Sequence, residues 1–265
     1  MRTAWPTSSV KCYVAFGKKK GLKICRAFAQ GCGGEVVPAG ITAKLLSGPA
    51  FFYGLTEDTI GLLKQAQEEG RTYFYCDNAY YFGRREYFRI TRNALMHSGI
   101  GEADNGRLRA MGVEIKPWRD DGRHVVLATQ SDLFYRMHLG VSRDEWTRAA
   151  IARVAQHTER EIVVCNKPAP GSPEWPHANF ENVLPGAWAV VSYSSSVMVL
   201  ALAQGVPVIT LGPSMASCVG TSDLSRIEDP HYPDDRERWL AVLMANQWTM
   251  GEIRDGAAWR ALNAG

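Results

Sequence analysis

The 265-residue sequence has no long apolar segment, and none of its apolar runs reaches the length that a membrane span needs. The first residues also lack the charged and then apolar pattern of a secretion signal. The six cysteines are scattered, and none of them forms a Cys-x-x-Cys pair. Free thiols in a reducing compartment explain this usage best, so a cytoplasmic protein without stable membrane insertion is expected.

Motifs for metal and hydrolytic chemistry are missing as well. The sequence contains no Asp-x-Asp, and no spacing among its six histidines matches a zinc site. It contains no Gly-x-Ser-x-Gly nucleophile elbow. These absences predict a protein without a bound metal and give a hydrolase little support.

The net charge is small. Thirty Lys and Arg residues against 27 Asp and Glu residues give +3, with an isoelectric point near 8.5. This mild excess permits an anionic ligand, but a nucleic-acid-binding domain is usually more strongly basic. The length favours one large domain or two small ones.

The first half alternates short β-prone runs with helical patterns. A helical apolar stripe begins at Leu22, and a second helix follows Thr56, a suitable N-cap before acidic first-turn residues. The expected strands cover residues 11–16, 35–38, 49–54 and 71–77. This alternation predicts a parallel sheet with helices on both faces. Residues 78–118 have no clean period and are predicted to leave the sheet as a loop.

The second half repeats the alternation. Strands are expected at residues 124–130, 160–168, 188–191 and 206–212, and Ser142 is expected to cap a helix over 144–157. The sequence therefore predicts an α/β protein with two tandem Rossmann-like, doubly wound domains. The turn-forming residues 116–122 place the boundary between domain 1–117 and domain 118–265, with the last helix able to pack back on the first domain.

A run of hydroxyl-bearing residues separates two apolar segments, "AVVSYSSSVMVLALAQGVPVITLG". A buried strand is expected to end at Ser192, and a helix is expected to begin near Ser195. The free N–H groups and dipole of such a helix favour an anion, and ligands of open α/β sheets bind at this edge. Ser194, Ser195 and Ser196 are thus candidates for hydrogen-bond donors to a bound diphosphate. The alternative is that they only cap the helix and form a turn.

The pattern of strand, Ser-Ser, helix, Gly-x-Pro-Val and strand resembles the donor-binding half of two-domain glycosyltransferases of the GT-B fold. It is most similar to the capsule-polysaccharide type and to relatives in phage genomes. The segments "HTEREIVVCNKP", "WPHANFENVLPGAWAVVSYSS", "RERWLAVLMANQWTMGEIRDGAAW" and "YFYCDNAYYFGRREYFRITRN" extend the resemblance. It implies two domains that face a cleft, a nucleotide sugar (a UDP-sugar first) in the second domain, and no metal. The family usually has a helix Glu for the ribose where this chain has Leu200.

Further donor candidates come from the loops around the predicted second sheet. Lys167 follows a strand and is either a phosphate contact or a solvated lysine. Gly212 closes the last strand of the predicted sheet. His231, in the loop after that strand, is either a donor contact or a packing residue.

The predicted acceptor domain carries a candidate base and basic clusters. Asp77 ends a buried-looking strand, where it either accepts the acceptor's proton or caps a turn. The clusters could bind an anionic polymer or form a solvated rim around an aromatic mini-core. The acceptor candidates are Lys19, Tyr81, Arg84, Arg85, Arg89 and Arg92.

These features predict a metal-independent glycosyltransferase that uses a nucleotide sugar in a bacterial or phage-infected cell. The first expectation for its acceptor is a hydroxymethylated base in phage DNA. The alternatives are a capsule or lipopolysaccharide glycosyltransferase and, because of Leu200, a non-catalytic module that binds nucleotides or nucleic acid. The sequence leaves the oligomeric state open.

Overall fold

The computed structural model describes residues 9–42, 44–81, 86–168, 172–173 and 178–264. Its strands are β1 (Lys11–Val14), β2 (Glu35–Pro38), β3 (Ala50–Tyr53), β4 (Tyr73–Asn78), β5 (Tyr87–Arg92), β6 (His124–Ala128), β7 (Glu161–Cys165), β8 (Ala187–Ser192), β9 (Val208–Thr210) and β10 (Gln247–Thr249). Its α-helices are α1 (Lys19–Cys32), α2 (Glu57–Glu68), α3 (Gly106–Ala110), α4 (Asp132–Leu139), α5 (Arg143–Val154), α6 (Ala178–Val183), α7 (Val197–Ala203), α8 (Arg236–Ala245), α9 (Met250–Arg254) and α10 (Ala257–Ala261). No helix of these described residues is long and apolar enough to cross a bilayer.

The chain divides into two compact units, each built around one sheet. The first contains the described residues of Met1–Ala79, Arg84–His97 and Asn246–Gly265. The second contains those of Tyr80–Gly83 and Ser98–Ala245. The predicted α/β class with two Rossmann-like sheets is confirmed.

The first sheet has the strand order β10-β5-β4-β3-β1-β2. Strands β2, β1, β3 and β4 are parallel, and β5 and β10 add an antiparallel edge. Successive side chains of a strand point to opposite faces, so Phe51 packs towards α1 and α10, whereas Phe52 packs towards α2. Because both faces are covered, the strands read as continuous apolar runs.

Helix α2 begins where the sequence predicted. Thr56 forms a capping box with Thr59, and Glu57 and Asp58 occupy the first turn. Helix α5 of the second unit likewise has the predicted cap: Ser142 and Glu145 form a capping box. Both N-cap predictions are confirmed.

The sequence predicted neither β5 nor β10. Strand β5 mixes buried Phe88 and Ile90 with arginines, and it lies in the stretch that we expected to be a loop. After α8 the chain adds the three-residue β10 to β5 and then packs α9 on α1. A Cβ atom at Gly31 would lie 2.2 Å from the Ile253 carbonyl oxygen, so this close helix contact requires glycine at position 31.

The second sheet is parallel, with the order β7-β6-β8-β9. On one face Val125 and Leu127 pack with Ala150 and Val154 of α5. Residues 98–117 belong to this unit rather than to the first, which differs from the predicted division after residue 117. The reason is a backbone hydrogen bond within the second unit, because the Lys116 N–H donates to the Ala203 carbonyl at 2.8 Å. The Pro- and Gly-bearing segment therefore marks a loop inside the unit.

Candidate functional site

Polar residues follow the parallel strands of the second sheet at its carboxyl edge. Gln130 comes after β6, Asn166 and Lys167 come after β7, and the hydroxyl run comes after β8. Carboxyl ends of parallel strands meet at one edge, which is where open α/β sheets bind their ligands. The structure therefore brings Lys167 to the same edge as Ser194, Ser195 and Ser196.

Hydrogen bonds join these loops. We call their polar residues, Gln130, Asn166, Lys167 and Ser194–Ser196, the polar ledge. The Gln130 amide donates to the Ser194 hydroxyl at 3.2 Å, and the Thr129 hydroxyl donates to the Asn166 side-chain oxygen at 2.9 Å. Ser192 is fully buried and donates to the Ala128 carbonyl at 2.7 Å. Ser192 thus ties β8 to β6, while Gln130 orients Ser194.

The three candidate serines differ in accessibility. Ser194 and Ser195 are buried, whereas Ser196 is partly exposed at the N-cap position of α7 and makes no side-chain capping bond. Within the described chain, the backbone N–H groups of Ser196 and Val197 have no hydrogen-bond acceptor. Such groups suit an anion, although α7 has only seven residues and its dipole is correspondingly short. Ser196 is therefore the most accessible hydroxyl donor of the three.

Gly212 makes room for an aromatic ring beside the ledge. A Cβ atom at Gly212 would lie 2.4 Å from two ring carbons of Tyr193. The Tyr193 ring also meets Phe134 and Trp146 edge-on, with centroids 5.9 and 6.5 Å away. Gly212 thus contributes space for Tyr193 at this edge.

His231 lies elsewhere. The next residue, Tyr232, donates to the Arg119 carbonyl at 3.4 Å and packs on Trp118. Arg119 in turn bonds the Leu184 carbonyl just before β8, so this loop is anchored at the amino edge of the sheet. The contacts of its neighbour Tyr232 thus place His231 away from the serines.

In the first unit, Asp77 pairs with a predicted acceptor residue. Asp77 lies directly across from Arg89 in the β4–β5 ladder, and the Arg89 guanidinium donates to its carboxylate at 3.1 Å. The Tyr75 hydroxyl donates to the same oxygen at 3.3 Å, and the Asn78 N–H donates to the other at 2.7 Å. Asp77 is half-buried at the carboxyl edge of the first sheet, but it is already a partner in a network.

Lys20, rather than the predicted Lys19, turns towards this network. Its ammonium donates to the Asn78 side chain at 2.6 Å and lies over the rings of Tyr53 and Phe88, at 5.8 and 5.1 Å from their centroids. Burial lowers the pKa of Lys20, against the opposing effect of nearby Asp77. Burial and the Asp77 charge together raise the pKa of Tyr53. Lys19 is exposed at the start of α1.

The other acceptor candidates do not gather around Asp77. Arg92 is exposed and pairs with Phe74, near the start of β4, so it lies at the opposite edge of the sheet. Tyr81 belongs to the second unit. Burial raises its pKa, and the negative charge of Glu114 is the second cause. Arg84 and Arg85 lie outside the described residues.

Sequence reasoning missed Gln130, Asn166 and the Asp77–Arg89 pair. A signal for the first two exists, because each is a polar residue one or two positions after an apolar strand. Twelve positions separate Asp77 from Arg89, and only the unpredicted strand β5 brings them together. No cluster of three or more His, Cys, Asp or Glu side chains suited to a metal occurs among the described residues.

No family model and no curated protein matches the chain. Its fold is similar to that of a solved Thermosulfurimonas dismutans KpsC structure, described as a β Kdo 2,4 transferase. The TM-score is 0.51 at 17% identity, and the match covers 88% of this chain and 89% of that one. A second, described as the β Kdo 2,7 transferase of the same KpsC, has a TM-score of 0.47 at 13% identity and covers 97% and 99%. The first match shows that the chain shares its fold with this transferase, in agreement with the predicted fold.

Proposed function

We propose that the chain is a glycosyltransferase that moves a sugar from a nucleotide-sugar donor to a hydroxyl acceptor. The observation that carries the proposal is the polar ledge at the carboxyl edge of the second sheet. It occurs in a chain whose fold follows that of a Kdo transferase over 88% of its length. At this edge, parallel α/β sheets bind nucleotides.

The ledge supplies what a leaving diphosphate needs. The N–H groups of Ser196 and Val197 and the Ser196 hydroxyl can donate to phosphate oxygens, and Lys167 can neutralise their charge. Gln130 and Asn166 add neutral donors beside them. These groups stabilise a departing diphosphate without a metal, so we expect that a chelator leaves turnover unchanged.

The acceptor chemistry belongs to the first sheet. Asp77 remains our candidate for the group that takes the proton of the acceptor hydroxyl. In that role Arg89 orients its carboxylate, and the Asp77 side chain remains 32% exposed. Lys20 and Asn78 lie beside it and can hold acceptor hydroxyls.

Two acceptor classes remain, and the geometry supports a saccharide better than DNA. Arg89 is bonded to Asp77 and Lys20 is bonded to Asn78. Arg92 lies at the amino edge of the first sheet. Among the described residues, a polyanion would thus meet fewer uncommitted cations here than the sequence suggested, whereas Asp77, Asn78 and Lys20 can bind hydroxyl groups. A capsule or lipopolysaccharide saccharide is therefore the acceptor that we propose, and hydroxymethylated DNA is the second candidate, favoured by exposed Lys18 and Lys19.

Donor identity and acceptor class can be tested with one set of reactions. The protein is incubated with nucleotide-activated Kdo, because the structural relative is described as a Kdo transferase. In parallel it is incubated with UDP-sugars, which the family resemblance implies. Saccharide acceptors and hydroxymethylated DNA are compared by mass spectrometry of the products. Sugar on DNA alone would reverse the acceptor preference. Nucleotide binding without transfer to any acceptor would favour the non-catalytic module.

Calorimetry tests the donor site separately. Lys167→Ala and Ser196→Ala should each weaken nucleotide binding about tenfold or more, the scale of a lost hydrogen bond to a charged group. Lys116→Ala is the matched control, because this lysine pairs with Glu114 and lies at the amino edge. Equal affinity in all three variants would remove the ledge from the donor site.

A further inference from the structure

Two large apolar side chains of the first unit stand almost wholly in solvent. Phe16 is 89% exposed and Ile41 is 86% exposed, the highest values for large hydrophobic residues in the described chain. Both follow parallel strands at the carboxyl edge of the first sheet, Phe16 after β1 and Ile41 after β2. Isolated exposed apolar residues are ordinary, but two at one edge call for a physical explanation.

The two residues are neighbours through Asp58. The Phe16 N–H donates to the Asp58 carboxylate at 2.7 Å. A Cβ atom at Gly40, adjacent to Ile41, would lie 3.7 Å from the same carboxylate. Phe16 and Ile41 therefore lie on two loops that approach the same side chain, and we call this exposed pair the apolar tip.

Local backbone structure holds both side chains outwards. The Lys18 N–H bonds the Ala15 carbonyl across a turn in which Gly17 has φ +69°, which fixes Phe16 at the turn's corner. Ile41 ends a 3-10 turn whose first residue, Ala39, is buried. The Phe16 side chain is thus exposed because it stands at the corner of a hydrogen-bonded turn and because the Phe16 N–H is bonded to Asp58.

The charges around the tip are mainly positive. Lys18 and Lys19 lie two and three positions after Phe16, and both are exposed. The exposed carboxylate beside them is Glu57, while Asp58 is bonded to the Phe16 N–H. The tip is an apolar pair within a basic rim.

We propose that this tip docks the protein on an anionic lipid surface, with Phe16 and Ile41 entering the interface and the lysines meeting lipid phosphates. Apolar insertion and attraction to anionic lipids add together in such peripheral binding. The aliphatic Ile41 argues against nucleic acid as the occupant, because it cannot stack on bases as an aromatic ring does. The lysine rim argues against a second copy of the chain, because the two identical rims would repel each other.

Co-sedimentation of the full chain with vesicles tests the proposal. The wild type should bind equimolar phosphatidylcholine–phosphatidylglycerol vesicles and should bind phosphatidylcholine vesicles much more weakly. Phe16→Ser and Ile41→Ser should each reduce partitioning roughly tenfold, and Phe16→Trp should retain it. Lys18→Gln and Lys19→Gln should each reduce it about fivefold, and salt should weaken binding of the wild type. Leu46→Ser is the matched control, since Leu46 is 45% exposed and its carbonyl bonds Arg71 just before β4, away from the tip.

Four outcomes would overturn the proposal. The first is that the wild type does not bind anionic vesicles. The second is that the lysine substitutions weaken binding whereas Phe16→Ser and Ile41→Ser do not. The third is duplex DNA binding that Phe16→Ser weakens as much as it weakens vesicle binding, which would assign the tip to nucleic acid. The fourth is a wild-type dimer that the same substitution dissociates. Docking is measured without any sugar donor, so its failure leaves the proposed transfer reaction untouched.

Discussion

Asp77→Asn separates a catalytic role of this residue from a structural one. The carboxylate accepts hydrogen bonds from Arg89, from the Tyr75 hydroxyl and from the Asn78 N–H. Asparagine is nearly isosteric and keeps one oxygen, which can stay with the Asn78 N–H. The other oxygen becomes an NH2 group, so the bond from Arg89, which can only donate, is lost, whereas the Tyr75 hydroxyl can turn and accept from the new group.

The size of the structural loss follows from exposure. The Arg89 side chain is 11% exposed and the Asp77 side chain is 32% exposed. A fully buried pair would lose about 3–5 kcal/mol on removal of one partner, and an exposed pair about 0–1 kcal/mol. Arg89 also keeps its bond to the Leu95 carbonyl at 2.6 Å. We therefore expect Asp77→Asn to lower the free energy of unfolding by about 1–2 kcal/mol, which leaves most of the protein folded.

If Asp77 is the base, turnover in the same variant should fall by about 100-fold or more, far beyond the folded fraction that is lost. Arg89→Gln is the matched control, because it breaks the same ion pair and should cost similar stability while it keeps the carboxylate. Urea unfolding and initial rates are measured on both variants. A rate loss in Asp77→Asn no larger than that in Arg89→Gln would show that Asp77 holds the strands together and is not the base.

Other variants test the remaining parts of the site. Gly212→Ala should push the Tyr193 ring from its place and weaken nucleotide binding about tenfold, whereas Gly61→Ala, where an added Cβ meets nothing within 4 Å, should leave it unchanged. Burial and the Arg89 charge lower the pKa of His97 from 6.5 to about 4, against the hydrogen bond with Asn246. The unfolded state then binds more protons between these values, so the free energy of unfolding should fall as the pH drops below 6.5, by about 2 kcal/mol at pH 5. His97→Gln should flatten that dependence in urea titrations.

The second sheet was largely predictable, because its signals are local. An apolar strand, a polar turn and a capped helix occur in immediate succession at "AVVSYSSS", so the carboxyl edge can be placed from neighbours in sequence. The same rule would have identified Gln130 and Asn166, each one or two positions past an apolar strand. His231 had no such signal, because its loop runs between two edges and long-range bonds near Tyr232 decide which edge it joins.

The first unit was harder, because its edge depends on pairing between distant segments. The β5 run alternates apolar residues with arginines inside an aromatic stretch that has no clean boundary, and β10 has only three residues. The three residues of β10 are too few for a strand to be recognised, and the six of β5 have no turn signal that separates them from the aromatic stretch around them. Without β5, the sequence placed Asp77 and Arg89 in separate roles, as base and as acceptor contact.

Their pairing changes what the basic residues of the first unit can do. An arginine already bonded to Asp77 and to the Leu95 carbonyl can meet a phosphate only if it gives up one of those bonds. The energy of a new contact would then be offset by the loss of an existing one. Lys18 and Lys19, in the turn after β1, make no such side-chain bond to any described residue, and they follow Phe16 in the sequence. Positive charge in this unit is therefore available for an anionic surface at the apolar tip, whereas charge near Asp77 organises the carboxylate.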